Sequence, residues 1–335
     1  MFEEAAQAPA VVHAQLAANA ARSAALAAQL RWQPPRAIVT CARGSSDHAA
    51  TLARYLIETR LQVLTASLAP SVSSVYETAP DLREAVLLAI SQSGASPDLL
   101  AAVRAARRAG ARIVALLNAE RSPLAQLADD LLPLHAGAER SVAATKSYLA
   151  SLAAIVQLVA VWSGDAGLNQ ALGSLPERLG RAWQQDWGAA LEPLRDATSM
   201  FVIGRGLGLA VAQEAALKFK ETCGLHAEAV SAAELHHGPM ALVRHGFPLL
   251  IFTQDDETRA GVLELTHRLA DQGATVLLAG AKIPGATELP TERAHPVIEP
   301  LLFAQSFYRL AEALARARGR DPDRPPHLNK VTETV

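Results

Sequence analysis

One 162-residue period runs through this chain and constrains its fold more than any other feature. Ala37-Ile-Val-Thr-Cys-Ala-Arg43-Gly44 is answered by Ser199-Met-Phe-Val-Ile-Gly-Arg205-Gly206, and Leu87-Leu-Ala-Ile-Ser91-Gln92 by Leu249-Leu-Ile-Phe-Thr253-Gln254. Gly110-Ala-Arg-Ile-Val-Ala-Leu recurs one residue further on as Gly273-Ala-Thr-Val-Leu-Leu-Ala. Three aligned apolar runs with at most one inserted residue mean two copies of a single structural plan.

Each copy alternates short apolar runs with helical periodicity. The expected strands are Ala37 to Cys41, Ala85 to Ile90 and Arg112 to Leu117, then Met200 to Ile203, Pro248 to Phe252 and Thr275 to Leu278. Pro97 to Ala109 and Glu257 to Asp271 carry apolar residues at helical spacing, and each is closed by a glycine. Such alternation predicts an α/β protein, with parallel sheets covered by helices on both faces. The expected division is an alanine-rich amphipathic helical segment over 1–30, a first domain over 31–165, a helical connector over 166–195, a second domain over 196–320 and a tail over 321–335.

The 335 residues allow two such domains, and a net charge of −2 offers no electrostatic reason to expect nucleic acid or an anionic membrane as partner. Two cysteines, Cys41 and Cys223, build no disulfide framework, and no Cys/His spacing matches a structural zinc site, so no metal or cofactor is expected. The start, Met1-Phe2-Glu3-Glu4, does not read as a signal peptide, and apolar stretches such as Ser151 to Trp162 read as too short to span a bilayer. A cytoplasmic protein is the expectation.

In open parallel sheets ligands bind beyond the carboxyl ends of the strands. Two loops there are rich in hydroxyls: Arg43-Gly44-Ser45-Ser46, and Ser91-Gln92-Ser93-Gly94-Ala95-Ser96 leading into a helix. Glycine, serine hydroxyls and the free N–H groups of a helix start suit a phosphate monoester, while ordinary N-capping by serine explains either loop taken alone. No Walker motif is present, and Gly204-Arg-Gly206-Leu-Gly208 fails the dinucleotide fingerprint because Leu209 stands where the third glycine belongs. The stretch Glu139-Arg-Ser-Val-Ala-Ala-Thr145-Lys146-Ser147 offers another hydroxyl and a cation, or simply a solvated helix start.

The second copy holds Lys218-Phe-Lys220-Glu221, His226-Ala-Glu228 and Glu234-Leu-His236-His237-Gly238-Pro239. On a helix Lys218 and Glu221 share a face, so the lysine could set the carboxylate's charge state with both facing a ligand, while from spacing alone a surface ion pair is the simpler reading. His236 and His237 diverge, which argues against joint metal ligation, and a packed, hydrogen-bonded histidine is the default for each. Near the end, Lys330 reads as part of a solvated tail.

Together, Ser91-Gln-Ser-Gly94, Val142-Ala-Ala-Thr-Lys146, Leu217-Lys-Phe-Lys-Glu221, His226-Ala-Glu228, Glu234-Leu-His-His-Gly-Pro239 and Lys330 resemble the sugar isomerase (SIS) domain family. Within it the chain resembles the isomerase half of glutamine–fructose-6-phosphate amidotransferase over nearly its whole length, and the fold implied is two tandem flavodoxin-like domains. The resemblance implies that Ser45, Ser46, Ser91, Gln92, Ser93 and Ser96, with Val142 and Ala143, bind the sugar phosphate. It further implies that Glu221 moves a proton between C1 and C2, His237 opens the pyranose ring, Lys218 assists near O1, and Lys330 forms an imine with the ketose. A homodimer with shared sites is implied as well.

Departures from the synthase pattern shape the expected activity. Phe2 stands where a glutaminase would carry its cysteine, and Ala144 where the pattern has serine. Gly44-Ser-Ser-Asp47-His48-Ala49 and Ala69-Pro-Ser-Val-Ser-Ser-Val-Tyr76 look more like the stand-alone glucosamine-6-phosphate deaminases of the same fold. Deamination of glucosamine 6-phosphate to fructose 6-phosphate and ammonia is therefore the expected reaction. The alternatives are an isomerising aminotransferase-like enzyme, an aldose–ketose isomerase, and, remotely, a non-catalytic sugar-phosphate sensor.

Overall fold

Strands form where β-branched and aliphatic residues run together. A computed structural model describes residues 1–330, among which ten strands fall into two sheets. The first sheet contains β1 (Ala37–Cys41), β2 (Thr65–Ser67), β3 (Ala85–Ser91), β4 (Arg112–Leu117) and β5 (Asp130–Pro133). The second contains β6 (Ser199–Gly204), β7 (His226–Ser231), β8 (Pro248–Phe252), β9 (Thr275–Ala279) and β10 (Ala286–Leu289). Every pairing is parallel. The orders are β2-β1-β3-β4-β5 and β10-β9-β8-β6-β7, which are the same order when read from β2 and from β7.

Parallel strands bury both faces, which is why the central ones read as unbroken apolar runs. All seven residues of β3 are buried. On one side of the first sheet Val39, Leu87, Ile113 and Leu117 pack with Leu99, Leu100 and Val103 of the helix Pro97–Arg108. In the second sheet Phe201, Ile203, Leu249, Ile251 and Val276 pack with Val262, Leu265 and Leu269 of the helix Arg259–Asp271.

The chain divides into two compact units. One comprises Ala10–Glu139, Lys146–Gly173 and the chain from Leu328, and carries the first sheet; the other comprises Met1–Pro9, Arg140–Thr145 and Ser174–His327, and carries the second. The N-terminal stretch forms the helices Phe2–Ala6 and Ala8–Trp32. The longer one buries Val12, Gln15, Asn19, Ser23, Leu26 and Leu30 along one stripe, so its inner face is partly polar rather than the apolar face of an amphipathic helix. The amide nitrogens donate to backbone: Gln15 Nε2 to Ala150 O at 2.9 Å and Asn19 Nδ2 to Pro133 O at 2.7 Å.

The apolar stretch that read as too short to span a bilayer belongs to the longer helix Lys146–Ser163. By length and composition its 18 residues could cross a membrane, and 89% of that span is buried inside the protein. It packs against the helix Ser45–Leu61 as a core element.

Leu87 tests this core. It is fully buried on the central strand of the first sheet. Leu87→Ala is expected to lower unfolding stability by about 2–5 kcal/mol, through lost transfer energy and the cavity left behind. Chemical denaturation monitored by circular dichroism measures it, and a loss below about 1 kcal/mol would contradict the packing described.

Candidate functional site

The strand order reverses between β1 and β3: the chain leaves β1 toward β2 on one side and returns to β3 on the other. Helices after such strands diverge and leave a crevice at the carboxyl edge. Both serine loops lie there, because Ser45 and Ser46 open the helix after β1 and Ser91–Ser96 join β3 to the next helix.

The second loop is stapled into shape. Ser91 Oγ accepts the Gly94 N–H at 2.9 Å, Gly94 O accepts the Leu124 N–H at 3.1 Å, and Gln92 O accepts the Ala119 N–H at 3.1 Å. Gly94 has φ +62°, and a Cβ there would lie 2.3 Å from Ser122 Oγ, so only glycine fits. Capping does not account for these serines. Ser96 occupies the N-cap of Pro97–Arg108 without a side-chain cap bond, and the N-cap of Ser45–Leu61 is Gly44. Ser91 is buried and Gln92, Ser93, Ser45 and Ser46 are half-buried. Ser93 Oγ accepts the Ala95 N–H at 3.4 Å.

Arg43 spans the crevice. Its Nε and Nη2 both lie 2.8 Å from Asp98 Oδ2, and Asp98, 1% exposed, sits in the first turn of the helix after the second loop. The Asp47 carboxyl is pushed up by burial, while His48 and Arg43 pull it back. Cys41, at the end of β1, is no nucleophile, since burial and then Asp98 push its thiol up to about 12.

The matching loop after β8 is tied to its own neighbours. Gln254, the counterpart of Gln92, donates from Nε2 to Arg205 O at 2.9 Å, to Asp256 Oδ2 at 2.7 Å and to Thr258 Oγ1 at 3.2 Å. A Cβ on Gly208 would lie 2.5 Å from Gln254 Oε1, which shows how tightly the amide closes the loop. Asp255 and Asp256 replace Ser93 and Gly94, so the second crevice presents carboxylates where the first presents hydroxyls. The duplication preserves the fold while the loop chemistry of the two copies differs.

The unit carrying the first sheet also holds Lys330, which is not a solvated end. Its Nζ lies 3.2 Å from Oε2 of Glu139, a carboxylate with no exposed side-chain surface. The same oxygen accepts the Ser147 hydroxyl at 2.5 Å, and Oε1 accepts the Ser147 N–H at 3.2 Å. Residues 331–335 of the expected tail lie outside the described residues.

In the other unit, the helix Gly208–Lys218 runs into a π-turn, Phe219–Cys223. Such a widened turn re-aims side chains and recurs at functional sites. Here it carries Glu221. Lys218 and Glu221 form no surface pair: Lys218 is fully buried, with Nζ 2.7 Å from Glu221 Oε2 and 3.2 Å from Glu214 Oε1. Glu214, also buried, further accepts the Tyr308 hydroxyl at 3.2 Å. Glu221 retains 19% exposure and is the member of the trio that reaches solvent. Burial pulls the Lys218 pKa down, but Glu214 and Glu221 outweigh it and leave it raised above 10.5.

Glu214 was legible as the carboxylate four residues before Lys218 on one helical face. Tyr308, from the helix Glu299–Ala317, carried no local signal. His236 and His237 are exposed, not packed; they lie on the 3-10 turn Glu234–His237, and His236 Nε2 pairs with Arg268 Nη2 at 2.9 Å. Val142 is half-buried and Ala143 buried, in a segment whose Arg140 and Ser141 N–H groups donate to the Glu4 carboxylate at 2.5 and 3.2 Å.

The buried trio gives a pH signature. A lysine whose folded pKa is raised contributes stability that is fully present below its unfolded pKa, near 10.5, and is lost as pH rises through the folded value. Lys218→Met is expected to cost about 3–5 kcal/mol at neutral pH, because it strands Glu214 and Glu221 without their cation. The deficit should shrink toward alkaline pH, as the buried lysine gives up its proton and the wild type loses the same stabilisation. Melting temperatures of both proteins across pH check this, and a pH-independent difference would contradict it.

Comparison with known proteins places this arrangement. Residues 33–161 and 193–282 match the SIS domain. Glutamine–fructose-6-phosphate aminotransferase (isomerizing) of Aeropyrum pernix is 36% identical over 310 residues, covering 86% of this chain and 49% of the relative. The chain thus spans about half the length of the curated relatives it matches. A crystal structure of a candidate phosphosugar isomerase from Silicibacter pomeroyi DSS-3 is 45% identical, with TM-score 0.92 over 96% of this chain and 99% of that one. The C-terminal domain of glucosamine–fructose-6-phosphate aminotransferase from Francisella tularensis, 23% identical, shares the fold at TM-score 0.85 over 97% and 98% of the two chains. With two copies of the same parallel sheet and a serine loop in the first, the chain belongs to the SIS domain family, the sugar isomerase domains.

Proposed function

We propose that the chain is an enzyme that moves a proton between C1 and C2 of a sugar phosphate, with glucosamine 6-phosphate as substrate and fructose 6-phosphate and ammonia as products. The observation that carries the reading is Glu221: a carboxylate with 19% exposure, fixed by a fully buried ammonium at 2.7 Å. A base that must reach two adjacent carbons has to be rigid and reachable at once, and the π-turn with its buried anchor supplies both.

In this reading the phosphate rests on the Ser45–Ser46 and Ser91–Ser96 loops. His237, exposed and therefore accessible, assists ring opening. Glu221 removes the C2 proton from the open-chain aldehyde to give an enolamine, then delivers a proton to C1. Water adds to the resulting C2 ketimine and ammonia leaves, so one water is consumed for each ammonia released. If the ketimine passes onto Lys330, Glu139 at 3.2 Å is the acceptor for the lysine's proton. Lys218 holds Glu221 in place from its buried position.

The wording around Gly44–Ala49 supports the deaminating reading over nitrogen transfer. A second reading, an aldose–ketose isomerase that leaves nitrogen untouched, is favoured by the 45% identity to the Silicibacter pomeroyi chain. Purified protein offered glucosamine 6-phosphate, fructose 6-phosphate with and without ammonium, and phosphorylated aldoses separates the two. Equal amounts of ammonia and ketose from the amino sugar alone support deamination, and ketose from an aldose phosphate without ammonia supports the isomerase.

Glu221→Gln keeps the side chain's shape without its basicity. Its expected effect is a loss of turnover of about 10²–10⁴-fold with substrate binding nearly intact. Turnover within about threefold of wild type would make the carboxylate structural.

A homodimer with shared sites is part of the same reading, and its basis is the family resemblance. Mixing Glu221→Gln chains with His237→Ala chains under subunit exchange should restore activity, because some sites then receive both intact residues. Mixed dimers without activity would refute sharing.

A further inference from the structure

We propose that Arg43, held by Asp98, is the cation that makes the first crevice selective for a phosphorylated sugar. The inference deepens the reading of this crevice as the phosphate site and rests on it.

Serine loops and helix N-termini supply dipoles but no full positive charge, and a phosphate monoester near neutral pH carries close to two negative charges. Arg43 immediately precedes Gly44 and Ser45 at the carboxyl end of β1, at the point where the strand order reverses. Its guanidinium is not loose. Nε and Nη2 converge on a single oxygen, Asp98 Oδ2, at 2.8 Å each, while Oδ1 accepts the Leu99 N–H at 2.7 Å.

Asp98 is 1% exposed, whereas the Arg43 side chain is 54% exposed. The carboxylate thus grips one edge of the guanidinium from inside and leaves much of the side chain open to solvent at the mouth of the crevice. This edge-on grip is how a protein pre-orients the remaining N–H groups of an arginine toward an oxyanion. Arg43 reaches from the β1 loop to the helix that follows the serine loop, so the same contact fixes the spacing of the two loops.

The second copy supplies an internal control. Arg205 matches Arg43, but the position matching Asp98 is Ala260, and Gln254 donates to Asp256 instead. The carboxylate grip therefore accompanies the copy that keeps its hydroxyl loop open.

Removing Arg43 alone strands a buried carboxylate and risks unfolding, so the informative protein is the double variant Arg43→Gln/Asp98→Asn, an uncharged amide pair. Its fold is verified by circular dichroism and thermal melting. Inorganic phosphate and glucosamine 6-phosphate serve as titrants in calorimetry, with unphosphorylated glucosamine as a competing substrate in turnover assays. The expected result is about ten- to hundredfold weaker binding of both phosphates. KM for glucosamine 6-phosphate should rise more than kcat falls, and the preference for glucosamine 6-phosphate over glucosamine should shrink by about the same ten- to hundredfold. Arg43→Lys should recover part of the lost affinity. A folded double variant that binds phosphate within about threefold of wild type would overturn the role of Arg43 and leave the phosphate site standing. Wild-type protein that binds neither phosphate would overturn both.

Discussion

Parallel pairing with a reversal of strand order is the constraint on which everything else in this protein rests. Because β1 is flanked by β2 and β3, and β6 by β7 and β8, each sheet must leave a crevice at its carboxyl edge. The crevice is a consequence of topology, and its chemistry is then set by a few loop residues. In the first sheet these are hydroxyls, a glycine that no other residue can replace and an arginine gripped by a buried aspartate. In the second they are a glutamine bonded to one aspartate and a further, exposed aspartate. One duplicated scaffold has thus been specialised by loop substitution alone, while the core strands kept their register and burial.

The proposed acid–base chemistry rests on a different device. Burying Lys218 completely is unfavourable unless its charge is matched, and Glu214 and Glu221 match it within 3.2 Å. The arrangement is asymmetric. Glu214 is enclosed and tied to Tyr308, so it serves the lysine, whereas Glu221 sits on the π-turn with part of its surface in solvent. A buried ion network of this kind contributes little net stability, but it specifies where one carboxylate stands, as the proposed proton transfer between neighbouring carbons would require. Glu139 repeats the logic beside Lys330: a buried carboxylate, held by Ser147, fixes the position of a lysine that the sequence alone suggests is solvated.

The central strands were legible because burial on both faces leaves unbroken apolar runs: β1, β4 and β8 have the bounds their composition predicts. The four strands that escaped, β2, β5, β7 and β10, are all sheet edges. Thr65–Ser67 is only three residues long, and His226–Ser231 includes His226 and Glu228, which read as site residues rather than as strand. Short or polar edges lack the burial that writes a pattern into sequence. The serine loops were visible for the same reason that glycine and hydroxyls punctuate any strand–helix turn. Asp98, Glu139 and Tyr308 were not, because each acts on a residue distant in the chain, and no local spacing encodes that meeting. The Lys218–Glu221 contact was readable from its helical spacing, whereas its burial depended on the helix Glu299–Ala317, which packs against Gly208–Lys218.

In the proposed reaction a single carboxylate, Glu221, carries the C2 proton of a sugar phosphate to C1. Glucosamine 6-phosphate deuterated at C2 and turned over in ordinary water tests it most directly, with the label in the product followed by NMR. The account predicts fructose 6-phosphate carrying deuterium at one of the two C1 positions in less than stoichiometric amount, with the remainder lost to solvent, and no label movement with Glu221→Gln. Complete transfer of deuterium to C1 without loss to solvent, persisting in Glu221→Gln, would point to a hydride shift and contradict the account.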